Sequence, residues 1–91
     1  MRTAAQVDAE VAQARDWYEQ QLAGLGDAFL DQVEAVFVRI ELNPLAYREL
    51  QSGLRRALMR RFPYAVYFAC EPDGIVILAL LHVAREANDI P

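Results

Sequence analysis

Apolar residues recur at Val7, Val11, Ala14, Tyr18 and Leu22, in steps of three and four that place them on one face of a helix. Asp8, Glu10, Asp16 and Glu19 fall mostly on the other side, and Thr3 stands where it can cap the first turn. Gly24-Leu25-Gly26 ends this helix and turns the chain. A second stripe, Phe29, Val33, Val36, Phe37 and Ile40, marks a second helix. Asp27 lies in its first turn, where an anion suits the helix dipole. Asn43-Pro44 stops it, because proline lacks the N–H that a continuing helix needs. The short connection makes the two helices an antiparallel pair.

Residues 45–53 read as a loop closed by Gly53, and from Leu54 the period changes. Leu54 to Phe62 mixes apolar residues with arginines as a half-buried strand does. Tyr64 to Glu71 is a second strand, rich in β-branched and aromatic residues. Pro72-Asp73-Gly74 supplies a turn, and Ile75 to Val83 is the third strand. The polar segment Ala84 to Pro91 reads as loosely held. The predicted fold is α+β: an N-terminal antiparallel helix hairpin packed on one face of a C-terminal three-stranded antiparallel sheet, with room for a fourth strand, in one domain spanning residues 1–91. The third strand is apolar on both faces, with Ile75, Ile77, Ala79 and Leu81 on one and Val76, Leu78 and Leu80 on the other. A soluble chain rarely leaves so large an apolar patch exposed. Another chain is the favoured cover for the second face; a curled sheet burying its own concave side is the alternative.

Composition sharpens this picture. With 55% hydrophobic and 24% charged residues the chain is globular in type. Its longest apolar run, Ile75 to Leu81, is far too short to span a bilayer. No apolar stretch follows a basic start, so no secretion signal is expected. The single cysteine, Cys70, excludes an internal disulfide, fits a reducing compartment and reads as a small core residue. A cytoplasmic location is expected. The net charge of −4 hides an asymmetry. Arg48, Arg55, Arg56, Arg60 and Arg61 face only Glu49 within residues 48–61, while acids dominate on either side. Guanidinium groups suit carboxylates and phosphates through their planar donor fork.

Five motifs in order carry a family resemblance: Asp16-Trp17-Tyr18-Glu19; Gly24-Leu25-Gly26-Asp27-Ala28-Phe29-Leu30; Asn43-Pro44; Arg60-Arg61-Phe62-Pro63-Tyr64; and Ile77-Leu78-Ala79-Leu80-Leu81-His82. Across about residues 8–85 the chain resembles the RelE/ParE toxin superfamily. The resemblance implies a small bacterial toxin encoded with an antitoxin whose disordered segment wraps and neutralises it, and it implies a helix-hairpin plus sheet fold. The RelE branch cleaves messenger RNA on the ribosome with basic and aromatic residues; the ParE branch poisons DNA gyrase without nuclease chemistry. Tyr64 stands where the nuclease branch often has a strand arginine, and the tail Glu86 to Pro91 has no aromatic residue. The negative net charge also opposes docking on RNA, which gains affinity by neutralising phosphates. These departures favour the ParE-like side. Members of both branches usually begin with a strand, and Met1 to Gln6 is short and alanine-rich for one.

The candidate target- or antitoxin-binding residues are Arg55, Arg56, Arg60, Arg61, Tyr64, Tyr67, His82 and Arg85. In one continuous strand Arg56 and Arg60 share a face and Arg55 and Arg61 the other, leaving at least one pair for a partner; solvated arginines that discourage edge pairing are the plain alternative. His82 titrates nearest neutrality and is a candidate general base, but without a telling acidic or cysteine partner it reads as a hydrogen-bonded structural histidine. Tyr64 and Tyr67 are able to stack on a base, although half-buried packing is the commoner role of strand tyrosines. Trp17 either braces the helix pair or lies under a partner. No catalytic residue, cofactor or metal is expected, and His82 with Cys70 makes no ligand set. The expected partners are a cognate antitoxin, with a higher-order complex open, and DNA gyrase as implied target, with no membrane and no sequence-specific nucleic acid bound by the toxin alone. The alternatives are a RelE-like ribosome-dependent endonuclease built on Arg61, His82 and Arg85, and a degenerate, non-toxic member.

Overall fold

The two apolar stripes form the two long helices expected of them. The computed structural model describes residues 1–91 and places α1 at Ala5–Gln21 and α2 at Leu25–Leu42. From these helices Val7, Ala14, Phe29, Val33, Val36 and Ile40 are buried, whereas Leu22 lies beyond the end of α1 and is exposed. The turn between them is held by one side chain. Glu19 accepts hydrogen bonds from the backbone N–H groups of Gly24 and Gly26, which holds its carboxyl below the ordinary range. Gly24 takes a left-handed conformation at φ 90°. Gly26 has a different reason to be glycine: it lies inside α2, and a Cβ there would stand 2.9 Å from the carbonyl oxygen of Arg15. The helix pair therefore meets backbone to backbone at this point.

Behind the helices lies a mixed five-stranded sheet in the order β1-β5-β4-β3-β2, from β1 (Arg2–Thr3), β2 (Glu49–Gln51), β3 (Leu54–Leu58), β4 (Tyr64–Glu71) and β5 (Gly74–His82). The central antiparallel meander is the one predicted. The two outer strands correct the expected strand count. Thr3 does not cap α1: it pairs in parallel with Ile77, and Ala4 N–H donates to the Ile77 carbonyl, so a two-residue strand does precede the first helix. Glu49–Gln51 pairs with β3 where a loop was expected. These strands are too short for a periodicity to register. They form because the rim of the sheet offers them partners.

Leu54 to Phe62 is not one strand, another correction. β3 ends at Leu58, Met59 N–H donates to the Tyr64 carbonyl, and Arg61 turns the chain with φ 70°. The uniform alternation expected of β5 is also broken. Tyr67 pairs with Ala79 but Phe68 with Ile77, so Leu78 is an extra residue in a bulge. The bulge changes the phase of the strand. Ile77 and Leu80 both join the core under the helices, with Val66, Phe68, Ala57, Met59 and Phe62, while Ala79 and Leu81 join Leu54, Ala65 and Tyr67 on the other face.

That second face is covered by the chain itself. After β5 a 3-10 turn at Val83–Arg85 and a short helix, α3 (Glu86–Asp89), fold back over it. Glu86 reaches Arg56 and Tyr67, and the Gln51 side-chain amide donates to the Pro91 carbonyl at 3.4 Å. Tyr67 is fully buried as a result. The tail is thus docked rather than loose, and the expectation that another chain covers this face is corrected. Cys70 is exposed rather than a core residue, since it pairs with Ile75 at the hairpin end of the sheet.

Candidate functional site

The strand arginines alternate faces as expected, and each finds an internal partner. Arg55 lies opposite Phe68 on the helix side, donating to the Tyr47 carbonyl at 2.6 Å and to Glu49 at 3.2 Å. Arg56 lies opposite Tyr67 on the other side and grips Glu86 with two donors, Nε at 2.6 Å and Nη2 at 2.9 Å. Tyr67 donates its hydroxyl to the same carboxylate. The Arg56 contact, more than the Tyr67 one, holds the Glu86 carboxyl below its ordinary range, while burial pushes the Tyr67 hydroxyl up. This is a filled carboxylate receptor built from a strand and the tail of one chain.

Arg60 and Arg61 are placed differently. They sit exposed at the tip of the β3–β4 hairpin with no carboxylate within ion-pair distance, and the Arg61 guanidinium lies 5.8 Å from the centre of the Phe62 ring. The expected sharing of a face between Arg56 and Arg60 is therefore not made, because the strand ends between them. A left-handed conformation in a non-glycine residue is strained, and such strain is held where the surroundings demand it. Here Phe62 makes that demand: it is anchored among Tyr18 and Phe29, with ring centres at 4.8 and 5.2 Å.

A cleft of about 800 Å³ opens where α1 passes the end of β5. Gln6, Glu10, Gln13 and Trp17 line it from α1, with Tyr64, His82 and Arg85 opposite. Tyr64 and His82 are cross-strand partners with ring centres 5.2 Å apart, and burial pushes the Tyr64 hydroxyl up. His82 accepts a hydrogen bond at Nδ1 from the Ala84 N–H, so the neutral ring carries its proton on Nε2. Trp17 does not brace the helix pair; it stands 56% exposed on the cleft wall, edge-on to Tyr18. Arg85 is tied to Asp89 at 3.2 Å. The structure thus brings Tyr64, His82 and Arg85 together, keeps Arg56 and Tyr67 on the other face, and leaves Arg61 outside the cleft lining.

Two functional-looking residues carried no sequence signal as site residues. Glu86 binds Arg56 across thirty positions, and Glu10 accepts the backbone N–H of Leu80 at 3.0 Å. Each pairing depends on tertiary placement.

The family model described as "ParE toxin of type II toxin-antitoxin system, parDE" matches residues 2–87. The chain belongs to the ParE toxin family. It is thereby a toxin of the type II toxin–antitoxin class, and membership implies an antitoxin partner. The solved structure "Chromosomal ParDE TA system from P. aeruginosa" is similar in fold, with a TM-score of 0.67 and 17% identity over 89% of this chain and 91% of that one. No curated protein matches the chain. No helix is long and apolar enough to cross a membrane.

Proposed function

We propose that this ParE-family chain arrests bacterial growth by binding DNA gyrase in the cytoplasm and is neutralised by a cognate antitoxin. The observation that carries the reading is the family match over residues 2–87. Arg61 lies outside the cleft that holds His82 and Arg85. Arg56 and Tyr67 are engaged by Glu86, and Tyr64 packs against His82 rather than presenting a cation.

Purified protein added to a gyrase supercoiling assay tests it. The expected result is inhibited supercoiling with trapped cleavage complexes. Unchanged supercoiling and no trapped complex at micromolar toxin overturn the reading. The shared position of His82 and Arg85 is the one feature favouring ribosome-dependent cleavage. Primer extension on translated messages after induction separates the two, since codon-positioned cuts belong only to the nuclease. Growth arrest on expression without antitoxin eliminates a degenerate member.

A further inference from the structure

The tip of the β3–β4 hairpin holds an arginine where the backbone favours a glycine. Four residues of the chain have a positive φ: three are Gly24, Gly53 and Gly74, and the fourth is Arg61 at φ 70°. The buried ring of Phe62 sets this backbone shape, but it does not set the side chain at position 61. A Cβ is what makes the left-handed region unfavourable, so glycine meets the same turn with less strain. Nothing inside the molecule compensates for the arginine. Neither Arg60 nor Arg61 has an ion pair, and the Arg61 guanidinium has only the Phe62 ring nearby, at 5.8 Å from its centre. An exposed contact of that kind is weak. Strain kept without an internal gain points outward, to a function.

The two guanidinium groups stand on a fixed base. Met59 N–H donates to the Tyr64 carbonyl at 2.9 Å, Tyr64 N–H to the Phe62 carbonyl at 2.8 Å, and Val83 N–H to the Pro63 carbonyl at 2.9 Å. Met59 and Phe62, on either side of the arginine pair, are both buried. A backbone already held this way loses little freedom when a partner closes on it. Arg39 adds a third cation at the root of the tip. Its Nη2 donates to the Leu58 carbonyl at 3.2 Å, while its Nε is closed off from solvent and has no acceptor. No carboxylate lies within ion-pair distance of these three arginines. Planar donor forks without internal acids are complementary to carboxylates or phosphates. A chain of net charge −4 with so few free cations fits a local group of carboxylates better than a phosphate backbone.

We propose that the Arg60–Arg61 tip is the element by which this chain grips its target, docking against a cluster of carboxylates on that protein. The inference rests on the reading that the chain acts by binding a protein, and it adds which element binds and what the target presents.

Arg61→Gly separates a structural arginine from a binding one. The variant is expected to melt at the wild-type temperature or up to about 6 °C above it, and to relieve growth arrest on expression without antitoxin. Purified gyrase, free of DNA, is the probe for direct binding. Arg60→Ala and Arg61→Gly are each expected to weaken that binding about tenfold or more. Arg48→Ala removes an equal charge near the other end of β3, where Glu49 pairs with Arg55, and is expected to change neither readout. Wild-type growth arrest by Arg61→Gly overturns the proposal and leaves the gyrase reading intact. A melting temperature lowered by more than about 4 °C overturns it as well, since the arginine is then structural. An equal loss in Arg48→Ala overturns it by showing that overall charge, not the tip, is read. If the wild-type chain leaves gyrase unbound while Arg61→Gly still relieves arrest, the gyrase reading alone falls and the tip stands as the contact. Codon-positioned cuts in messages that vanish with Arg61→Gly overturn the protein occupant in favour of RNA. A wild-type chain that arrests no growth overturns both.

Discussion

Replacing Glu86 by alanine asks whether the C-terminal turn is a structural lid on the sheet. The carboxylate accepts two hydrogen bonds from Arg56, at 2.6 and 2.9 Å, and a third from the Tyr67 hydroxyl. Removing it strands two partners unequally. Tyr67 is fully buried, and a buried hydroxyl without an acceptor costs about 1–3 kcal/mol. The Arg56 side chain is 32% exposed, so water recovers part of its loss, and the pair counts for about 1 kcal/mol rather than the several of a fully buried one. The expected loss is about 2–4 kcal/mol. Urea denaturation followed by circular dichroism reads it as a drop in midpoint of about 1–3 M for a domain of this size. Adding Tyr67→Phe removes the stranded hydroxyl, so the double variant should lose less than the sum of the two single ones. Trypsin should also cut after Arg85 faster in Glu86→Ala. A loss below about 0.5 kcal/mol without coupling refutes the reasoning. The second sheet face would then be open in solution, and a cover from another chain would again be required.

Gly26→Ala should cost about 1–3 kcal/mol despite alanine's better helix propensity, because its Cβ meets the Arg15 carbonyl, which is backbone and cannot swing away; thermal unfolding checks this, and a neutral or stabilising result would mean that the helices separate freely. Ile77→Ala should cost about 2–5 kcal/mol in urea unfolding, since Ile77 is fully buried on the central part of β5; a much smaller loss would mean that the core collapses around the cavity. Acid titration should show an unfolding limb to which Glu86 and Glu19 both contribute. Both carboxyls are held below their ordinary range, so their stabilisation is complete above about pH 4.3 and is lost as pH falls through the depressed values. Glu86→Gln should flatten that limb. At the alkaline end the raised Tyr67 hydroxyl makes the opposite contribution, complete below about pH 10 and lost as pH rises through its folded value.

The parts of the fold that were legible in the sequence are those set by local periodicity. The stripes of α1 and α2 and the whole of β4, from Tyr64 to Glu71, follow from residue type and spacing. The parts that were not legible are set by partners distant in the chain. Arg2–Thr3 and Glu49–Gln51 become strands because β5 and β3 present unpaired edges. Leu78 lies in an unbroken apolar run, where no polar residue marks the change of phase. The arginine cluster was visible as composition, but Leu54 to Leu58 and the hairpin tip divide it into paired and free halves, and only Pro63 hinted at that boundary. The cleft residues Tyr64, His82 and Arg85 were named individually; nothing in their spacing joined them to Gln6, Glu10 and Gln13 on α1.

The division of the arginines bears on what kind of target this chain can hold. Of its nine arginines, Arg2, Arg15, Arg55, Arg56 and Arg85 are in ion pairs, and Arg39 donates to the Leu58 carbonyl. Arg48, Arg60 and Arg61 are the three left with neither kind of contact. Each phosphate neutralised contributes a slope of about −0.9 to the dependence of log affinity on log salt. Three free guanidiniums therefore give at most about −3, in a chain whose net charge of −4 opposes the approach of any polyanion. Strong nucleic-acid binders draw on about six to ten such contacts. A protein surface makes no such demand, because a few arginines at the centre of an interface carry a large share of its energy. The charge available here fits a ligand that is recognised locally, by shape and a few cations, and so supports a protein target over a phosphate backbone.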